Sequence, residues 1–424
     1  MNAEEMRRLL WEVQSAGQCS HPIRLRGQTT NLATGEVESS AFKVACKDRR
    51  EAVCPACSQR YGTDAWIIAA TGMNGGKGVD ESVAERPRLF VTLTAPGFGS
   101  VHTITSKGSC LVRHQGQAPC EHGIARQCFA RHQDGENCLG QALCAECFDY
   151  RRAILWNAAS SRLWTSTVQQ ARRNLAIHAS IRREDLYQVA QMHYFKVAEM
   201  QRRGLIHFHV LVRLDEADSR HQLDADAVTT AWSAAIRKVS IQNEHGSFRW
   251  GRIVDIQQIG RSQNDARMVA TYLAKYVTKT AGDALELARV FDSRRDIDLR
   301  VTNSHLKKMA LGAWDMGGDS ELVQLKLREH ANTLGFSGHF ITKSRDFSTT
   351  FGALRQARVD FNAPLRSGDP VRGTFTFEGR GYDDPKASQL AEVLSELGTE
   401  IRRSRAVRAA GDVSSLERAN DREE

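Results

Sequence analysis

Apolar and polar positions along the chain switch between a helical period and an alternating one, and the switches mark the elements. Residues 3–16 place apolar side chains on one helical face and predict a short amphipathic helix. A polar loop is expected from there to about Ser40. Ser58 to Thr71 reads as a helix closed by the glycine-rich TGMNGGKG. Arg88-Leu-Phe-Val-Thr-Leu-Thr-Ala95 is rich in β-branched residues and is stopped by Pro96-Gly97, so it reads as a strand. Between 103 and 148 periodicity fades. It returns as a helix over 149–178, then as two strands near 187–200 and 205–213, joined by Arg202-Arg203-Gly204. A helix near 225–239, a strand near 249–259, a helix from about Ser262 to Lys279 and two or three more helices to about 334 follow. From Lys386 onward the chain is polar and dense in Glu and Arg.

Composition narrows the class. The chain has 424 residues, enough for about two to four domains. No apolar run approaches the roughly 18 residues of a membrane span, and the charged start lacks the apolar core of a signal peptide. A cytoplasmic protein without a membrane partner is expected. The net charge of +8 permits a polyanionic partner without requiring one. Ten cysteines in a reducing compartment suggest metal binding more than disulfides. The loop TGMNGGKG is not a phosphate-binding P-loop, because Lys77 is followed by Gly78 rather than Ser or Thr.

The second hairpin strand reads Leu205-Ile-His-Phe-His-Val-Leu-Val212, so His207 and His209 share one face. A three-residue loop sets Gln201 opposite Leu205 and Glu199 opposite His207, which brings a carboxylate to the histidine face. Two imidazoles and a carboxylate with open positions suit Mg²⁺ or Mn²⁺ holding a phosphate. The plain alternative is a pair of half-buried strand histidines.

Downstream, Tyr272-Leu-Ala-Lys-Tyr276-Val-Thr-Lys279 places two tyrosines four residues apart, each followed three residues later by a lysine. Ala266, Ala270, Leu273 and Val277 form a separate apolar stripe. A phenol of pKa near 10 is a weak nucleophile. The ammonium groups of Lys275 and Lys279 would favour the phenolate and offset phosphate charge. An ordinary amphipathic helix with boundary tyrosines is the competing reading.

Cys54-x-x-Cys57 and Cys144-x-x-Cys147 have metal-knuckle spacing. Zinc takes four thiolate or imidazole ligands, and one or two structural zinc ions are expected. One site is assigned Cys120, Cys128, Cys144 and Cys147. A second is assigned Cys46, Cys54 and Cys57 with His122 or another ligand from the insertion. A single site joining the two Cys-x-x-Cys pairs is an alternative.

Together, the strand Phe90-Val-Thr-Leu-Thr94, the His-hydrophobic-His strand and the YLAKYVTK octet, in that order, resemble the HUH endonucleases with two catalytic tyrosines. Further segments (FVTLTAPGFGSVH, CEHG, LCAECFDY, AILWNAA, RRGLIHFHVLVRLD and GFSGHFITKSRDFSTTFGALR) are similar to replication initiators of actinobacterial plasmids and integrative elements. The similarity covers roughly residues 42 to 356, and Cys110 and Cys138 have no place in the family pattern. The resemblance implies an α+β HUH endonuclease fold, with a central antiparallel sheet flanked by helices and a zinc-binding cysteine-rich insertion. It divides the chain into an N-terminal segment 1–85 with the first cysteine cluster, a nicking domain 86–345 with its insertion at about 103–150, and a C-terminal segment with a charged tail, 346–424.

The implied activity is rolling-circle initiation, a site-specific single-strand cleavage and rejoining of DNA. Tyr272 or Tyr276 attacks the scissile phosphate at a double-strand origin and leaves a 5′-phosphotyrosine and a free 3′-OH. His207, His209 and Glu199 would hold the divalent ion, with Lys275 and Lys279 near the developing charge. Expected partners are double-strand origin DNA, single-stranded DNA, and a host helicase and polymerase. Arg202 and Arg203 at the hairpin tip, and Lys343 and Arg345 in SGHFITKSR, are assigned to DNA contact. A conjugative relaxase or HUH transposase is the nearest alternative, although a relaxase usually presents its tyrosine before the histidine motif. A non-catalytic, zinc-stabilised DNA-binding protein is the alternative of another class.

Overall fold

Alternating strands and amphipathic helices assemble into a mixed α+β chain with antiparallel sheets. The computed structural model describes residues 2–104, 110, 118–133, 135–216, 221, 223–252, 254–260, 262–279, 290–362 and 371–401. In chain order, α1 (Ala3–Ser15), β1 (Ile23–Asn31), β2 (Val37–Val44) and α2 (Pro55–Asn74) lead to β3 (Arg88–Leu93) and α3 (Tyr150–His178). Then come α4 (Leu186–Val189), β4 (Ala190–Met200), β5 (Ile206–Glu216), α5 (Ala225–Lys238), β6 (Ser240–Asn243), β7 (Gly246–Arg249) and β8 (Val254–Gln258). The chain ends through α6 (Gln263–Lys279), α7 (Arg294–Arg300), α8 (Ser304–Met316), β9 (Ile341–Lys343), α9 (Phe351–Asn362), β10 (Val371–Arg380) and a helix over 385–401. Two compact units result: Ala65–Thr350, and Met1–Asp64 with Phe351–Glu424. Among the described residues no helix is long and apolar enough to cross a membrane.

In the unit Ala65–Thr350, five strands form one antiparallel sheet in the order β8-β3-β5-β4-β9. The alternation of β5 divides its residues between two faces. Phe208, Val210 and Val212 join Leu89, Val91 and Ala198 in a core that α3 and α5 close with Trp156, Trp164 and Trp232. Asp149 and Asp224 cap these two helices by accepting the N–H groups of Arg152 and Ala227. His207, His209, Leu211 and Arg213 point the other way. There Arg213 donates to the Gly72 carbonyl and Arg88 to that of Met73, so the end of α2 lies on the histidine face. Helix α6 packs against β4, and its Thr271 accepts the indole N–H of Trp66 in α2 at 3.2 Å. Both faces of the sheet are thereby covered.

Two expected elements differ. The strand expected from 187 starts at Ala190, because Leu186–Val189 make a helical turn first. The strand expected over 249–259 is two, β7 and β8, separated at Gly251. A Cβ at Gly251 would sit 2.6 Å from the Ala95 carbonyl oxygen.

In the unit Met1–Asp64 with Phe351–Glu424, the segment read as a polar loop is the hairpin β1–β2, and β10 pairs on its other side. β1 and β2 are polar and half-exposed, and β10, although it alternates at Thr374-Phe375-Thr376-Phe377, is exposed along most of its length, so no buried apolar face marks them. Leu9 and Val13 of α1 pack with Ala387 and Ala391 of the helix over 385–401.

Lys196 sits on the core face of β4 with its Nζ 4.2 Å from the Phe208 ring centroid. Burial pushes its pKa down to about 8. The unfolded chain therefore holds more protons than the folded one between about pH 8 and 10.5, and stability should rise with pH across that window. Lys196→Met should be more stable at pH 7 by about 1–3 kcal/mol and lose that rise. Denaturant unfolding at pH 7 and pH 10 checks both.

Candidate active site and metal centres

The register of β4 on β5 is Met200↔Ile206, Glu199↔His207 and Val197↔His209. The turn closes with Gln201 N–H on the Leu205 carbonyl at 2.9 Å and Gly204 N–H on the Gln201 carbonyl at 2.8 Å. Gly204 adopts φ +73°, a left-handed conformation that glycine takes without strain. Fully buried Asn157 of α3 holds this turn from the core side. Its amide donates to the carbonyls of Gly204 and Leu334 at 2.8 and 3.0 Å, and its oxygen accepts the Ile206 N–H at 3.1 Å.

On the outer face the two imidazole centroids are 4.5 Å apart. Glu199 is in register with His207, but its carboxylate reaches the diagonal neighbour, 3.0 Å from His209 Nε2. His207 Nδ1 instead accepts the Gln201 amide at 3.2 Å. Burial, and then the nearby His209 and Arg203, push the His207 pKa down to about 3, so this ring is neutral at neutral pH and its one lone pair, on Nδ1, faces the Gln201 amide. Phe90 stacks parallel to His209 at 5.9 Å. The register also sets Thr92 of β3 and the exposed Asp255 of β8 in the same row of the same face. Two imidazoles and a carboxylate on one rigid face fit a hard divalent cation in type, while Glu199 and Gln201 hold the rings apart in separate hydrogen bonds.

Arg203, expected at DNA, is committed elsewhere. Its guanidinium is buried, which depresses its pKa to about 10. It donates to the carbonyls of Pro96 and Ala95 at 3.1 and 3.0 Å and to Gln201 Oε1 at 3.0 Å. It therefore aims Gln201 at His207 and is not available to a phosphate. Arg202 remains at the turn and Arg345 is exposed, while Lys343 is half-buried with its ammonium on the carbonyls of Ser344 and Arg345.

Helix α6 carries its buried stripe, Ala266, Ala270, Leu273 and Val277, as the spacing predicts. The backbones of Tyr272, Lys275, Tyr276 and Lys279 belong to this helix. Their side chains lie outside the described residues.

The cysteines group differently from their assignment. In the unit Met1–Asp64 with Phe351–Glu424, Cys19, Cys46, Cys54 and Cys57 bring their sulfurs within 4.8 Å of one another. The fourth member of this group is Cys19, where His122 or another residue of the insertion was expected. The β1–β2 hairpin is the reason: it pairs Ile23 with Val44, so residues just outside its two ends meet. Cys19 Sγ then accepts the Cys46 N–H at 3.2 Å. In the unit Ala65–Thr350, Cys120, His122, Cys144 and Cys147 form a second such group. His122 Nδ1 lies 3.3 Å from Cys147 Sγ, on a tight turn in which Gly123 N–H bonds the Cys120 carbonyl at 2.8 Å. His122 occupies the place assigned to Cys128. Cys128 lies instead beside His132, four residues on, with its sulfur 3.5 Å from Nε2. Among the described residues the two Cys-x-x-Cys pairs belong to different groups. These clusters could hold a zinc-type ion.

Asn157 and Gln201 were not singled out from the sequence, since a lone Asn in a helix and a Gln beside a turn carry no motif. Asn157→Ala strands the Gly204 and Leu334 carbonyls and the Ile206 N–H. It should cost about 2–4 kcal/mol of stability, measured by chemical denaturation.

Residues 5–396 match the family model described as replication initiator protein, pSAM2 (RepSA). A replication initiator protein of Streptomyces ambofaciens is 32% identical over 371 residues, covering 83% of this chain and 77% of the relative. No solved structure matches the chain. The matched span includes the histidine hairpin, helix α6 and all ten cysteines. On that extent of likeness, the chain belongs to the pSAM2 replication initiator protein family.

Proposed function

We propose that the protein starts rolling-circle replication of a plasmid or integrative element by nicking one strand of the double-strand origin through a tyrosine, and later rejoins it. One observation carries this reading: the helix of Tyr272 and Tyr276 packs against β4, the strand of Glu199, and bonds to α2, whose end lies on the face bearing His207 and His209. Membership of a replication initiator family supports it. In this reading the fold is that of an HUH nuclease.

The tyrosine oxygen bonds to phosphorus while the bond to the 3′-oxygen breaks. The phenolic proton leaves to solvent or a nearby base, and the departing 3′-oxygen takes up a proton. The products are a 5′-phosphotyrosine and a 3′-OH primer for a host polymerase, with a helicase separating the strands. The second tyrosine attacks after synthesis and restores the strand. Lys275 and Lys279 favour the phenolate and offset charge on the phosphate. A Mg²⁺ or Mn²⁺ held by His207, His209 and Glu199 would polarise a phosphate oxygen. Arg202, Lys343 and Arg345 contact the DNA backbone, and Arg203 positions the hairpin. Zinc in the four-cysteine group and in the group of Cys120, His122, Cys144 and Cys147 acts structurally.

Tyr272→Phe with Tyr276→Phe should abolish covalent 5′ attachment and lower nicking of a supercoiled origin plasmid at least about a thousandfold. Persistence of the adduct in that variant would remove both tyrosines from the mechanism. His207→Ala with His209→Ala should lower nicking about 10²–10³-fold and leave duplex binding intact in a mobility-shift assay. Cys19→Ser should lower zinc content by one equivalent, read by metal analysis of the purified chain.

A further inference from the structure

The stretch between Val101 and Phe148 sits beside the main core and adds almost nothing to it. Of its described residues, only partly buried Ala142 packs on that core. Yet Cys110, Cys128 and His132 are buried there, and half-buried His102 joins them. Buried polar groups without an apolar core need another source of cohesion. The ligand atoms of His102, Cys110, Cys128 and His132 all lie within 4.8 Å of one another. Two thiolates and two imidazoles are a donor set that zinc takes tetrahedrally.

The surroundings of the group match a metal ligand sphere. His132 Nδ1 is 2.9 Å from Glu136 Oε2, and the other Glu136 oxygen is anchored by the Gln133 N–H at 2.9 Å. A carboxylate on one ring nitrogen leaves the other, Nε2, as the lone pair facing Cys128 Sγ at 3.5 Å. The Thr103 N–H points at Cys110 Sγ at 3.5 Å, as backbone amides do toward thiolates. His102 Nδ1 is buried and has no hydrogen-bond partner among the described residues. Cys138 Sγ approaches His132 on its Nδ1 side at 3.4 Å and groups with Glu136 rather than with His102, Cys110 and Cys128, so Cys138 and Glu136 belong to the support of the ring.

We infer that His102, Cys110, Cys128 and His132 bind a zinc ion of their own, distinct from the two groups already described, and that this ion braces the tip of the histidine hairpin. The path is short. His102 exchanges backbone hydrogen bonds with the next turn, its N–H on the Gln141 carbonyl at 2.9 Å and its carbonyl on the Gly140 N–H at 2.8 Å. Gly140, at φ +86°, lies so close to the hairpin that a Cβ there would be 2.5 Å from the Arg202 carbonyl carbon. An ion that fixes His102 fixes Gly140 against the turn that sets the register of His207.

The test uses the full chain and does not depend on nicking. Metal analysis should find one zinc fewer per chain in Cys110→Ser with Cys128→Ser than in the wild type, and no loss in Cys138→Ser. Equal zinc in the double variant and the wild type, or loss of an ion in Cys138→Ser, overturns the ligand assignment. Glu136→Gln leaves every ligand in place. It should release one ion to a competing chelator at roughly 10–100-fold lower chelator strength, and an unchanged release profile overturns the orienting role. Hydrogen exchange at the Gln201 and Gly204 amides should quicken in the double variant. Exchange unchanged despite a lost ion overturns the brace.

Discussion

A slip of one residue between β4 and β5 would carry His207 and His209 into the core and expose Phe208 and Val210, because side chains alternate faces. The hairpin turn is what forbids it. Asn157 grips the turn from the core side through Gly204 and Ile206, and Arg203 grips it from the opposite strand end through Ala95 and Pro96. His305 adds a ring nitrogen 3.2 Å from the Arg203 carbonyl. Phe208 then seats between Trp164, Trp250 and Phe336, with centroids 5.6–6.2 Å away. Burying that ring is worth about 2–3 kcal/mol, and a slipped register would forfeit it. The chemistry on one face is thus specified by packing on the other.

The outer face shows how a polar site survives under covering helices. Its far end is closed by buried Arg88 and Arg213, which donate to helix and loop carbonyls and, for Arg213, to Asp215 at 2.7 Å. Its near end keeps imidazoles, a carboxylate and an amide in hydrogen bonds to one another. Sulfur and imidazole clusters play the part of a core where apolar residues are few, as in the packing of Cys19, Cys54 and Cys57 against Ala45 and Cys46.

Local periodicity made much of this legible. The α3, α5 and α6 helices, the strand at Arg88 and the hairpin register follow from spacing that the side chains themselves carry. The β1–β2–β10 sheet did not, since its strands bury no continuous apolar face and β10 joins from more than 300 residues away. The cysteine groups failed for the same reason. Cys54-x-x-Cys57 is visible because its ligands are neighbours, whereas Cys19 reaches it only through a hairpin, and His102 reaches Cys128 only through a folded insertion. Arg203 looked like a DNA contact because sequence shows charge but not burial.

The mechanism we propose turns on a tyrosine of α6 joining the DNA. Peptide mapping of the covalent product after nicking of a supercoiled origin plasmid tests it most directly. A 5′-DNA-linked peptide containing Tyr272 or Tyr276 is the result predicted. A linked peptide from elsewhere in the chain, or nicking with no covalent product, would contradict it.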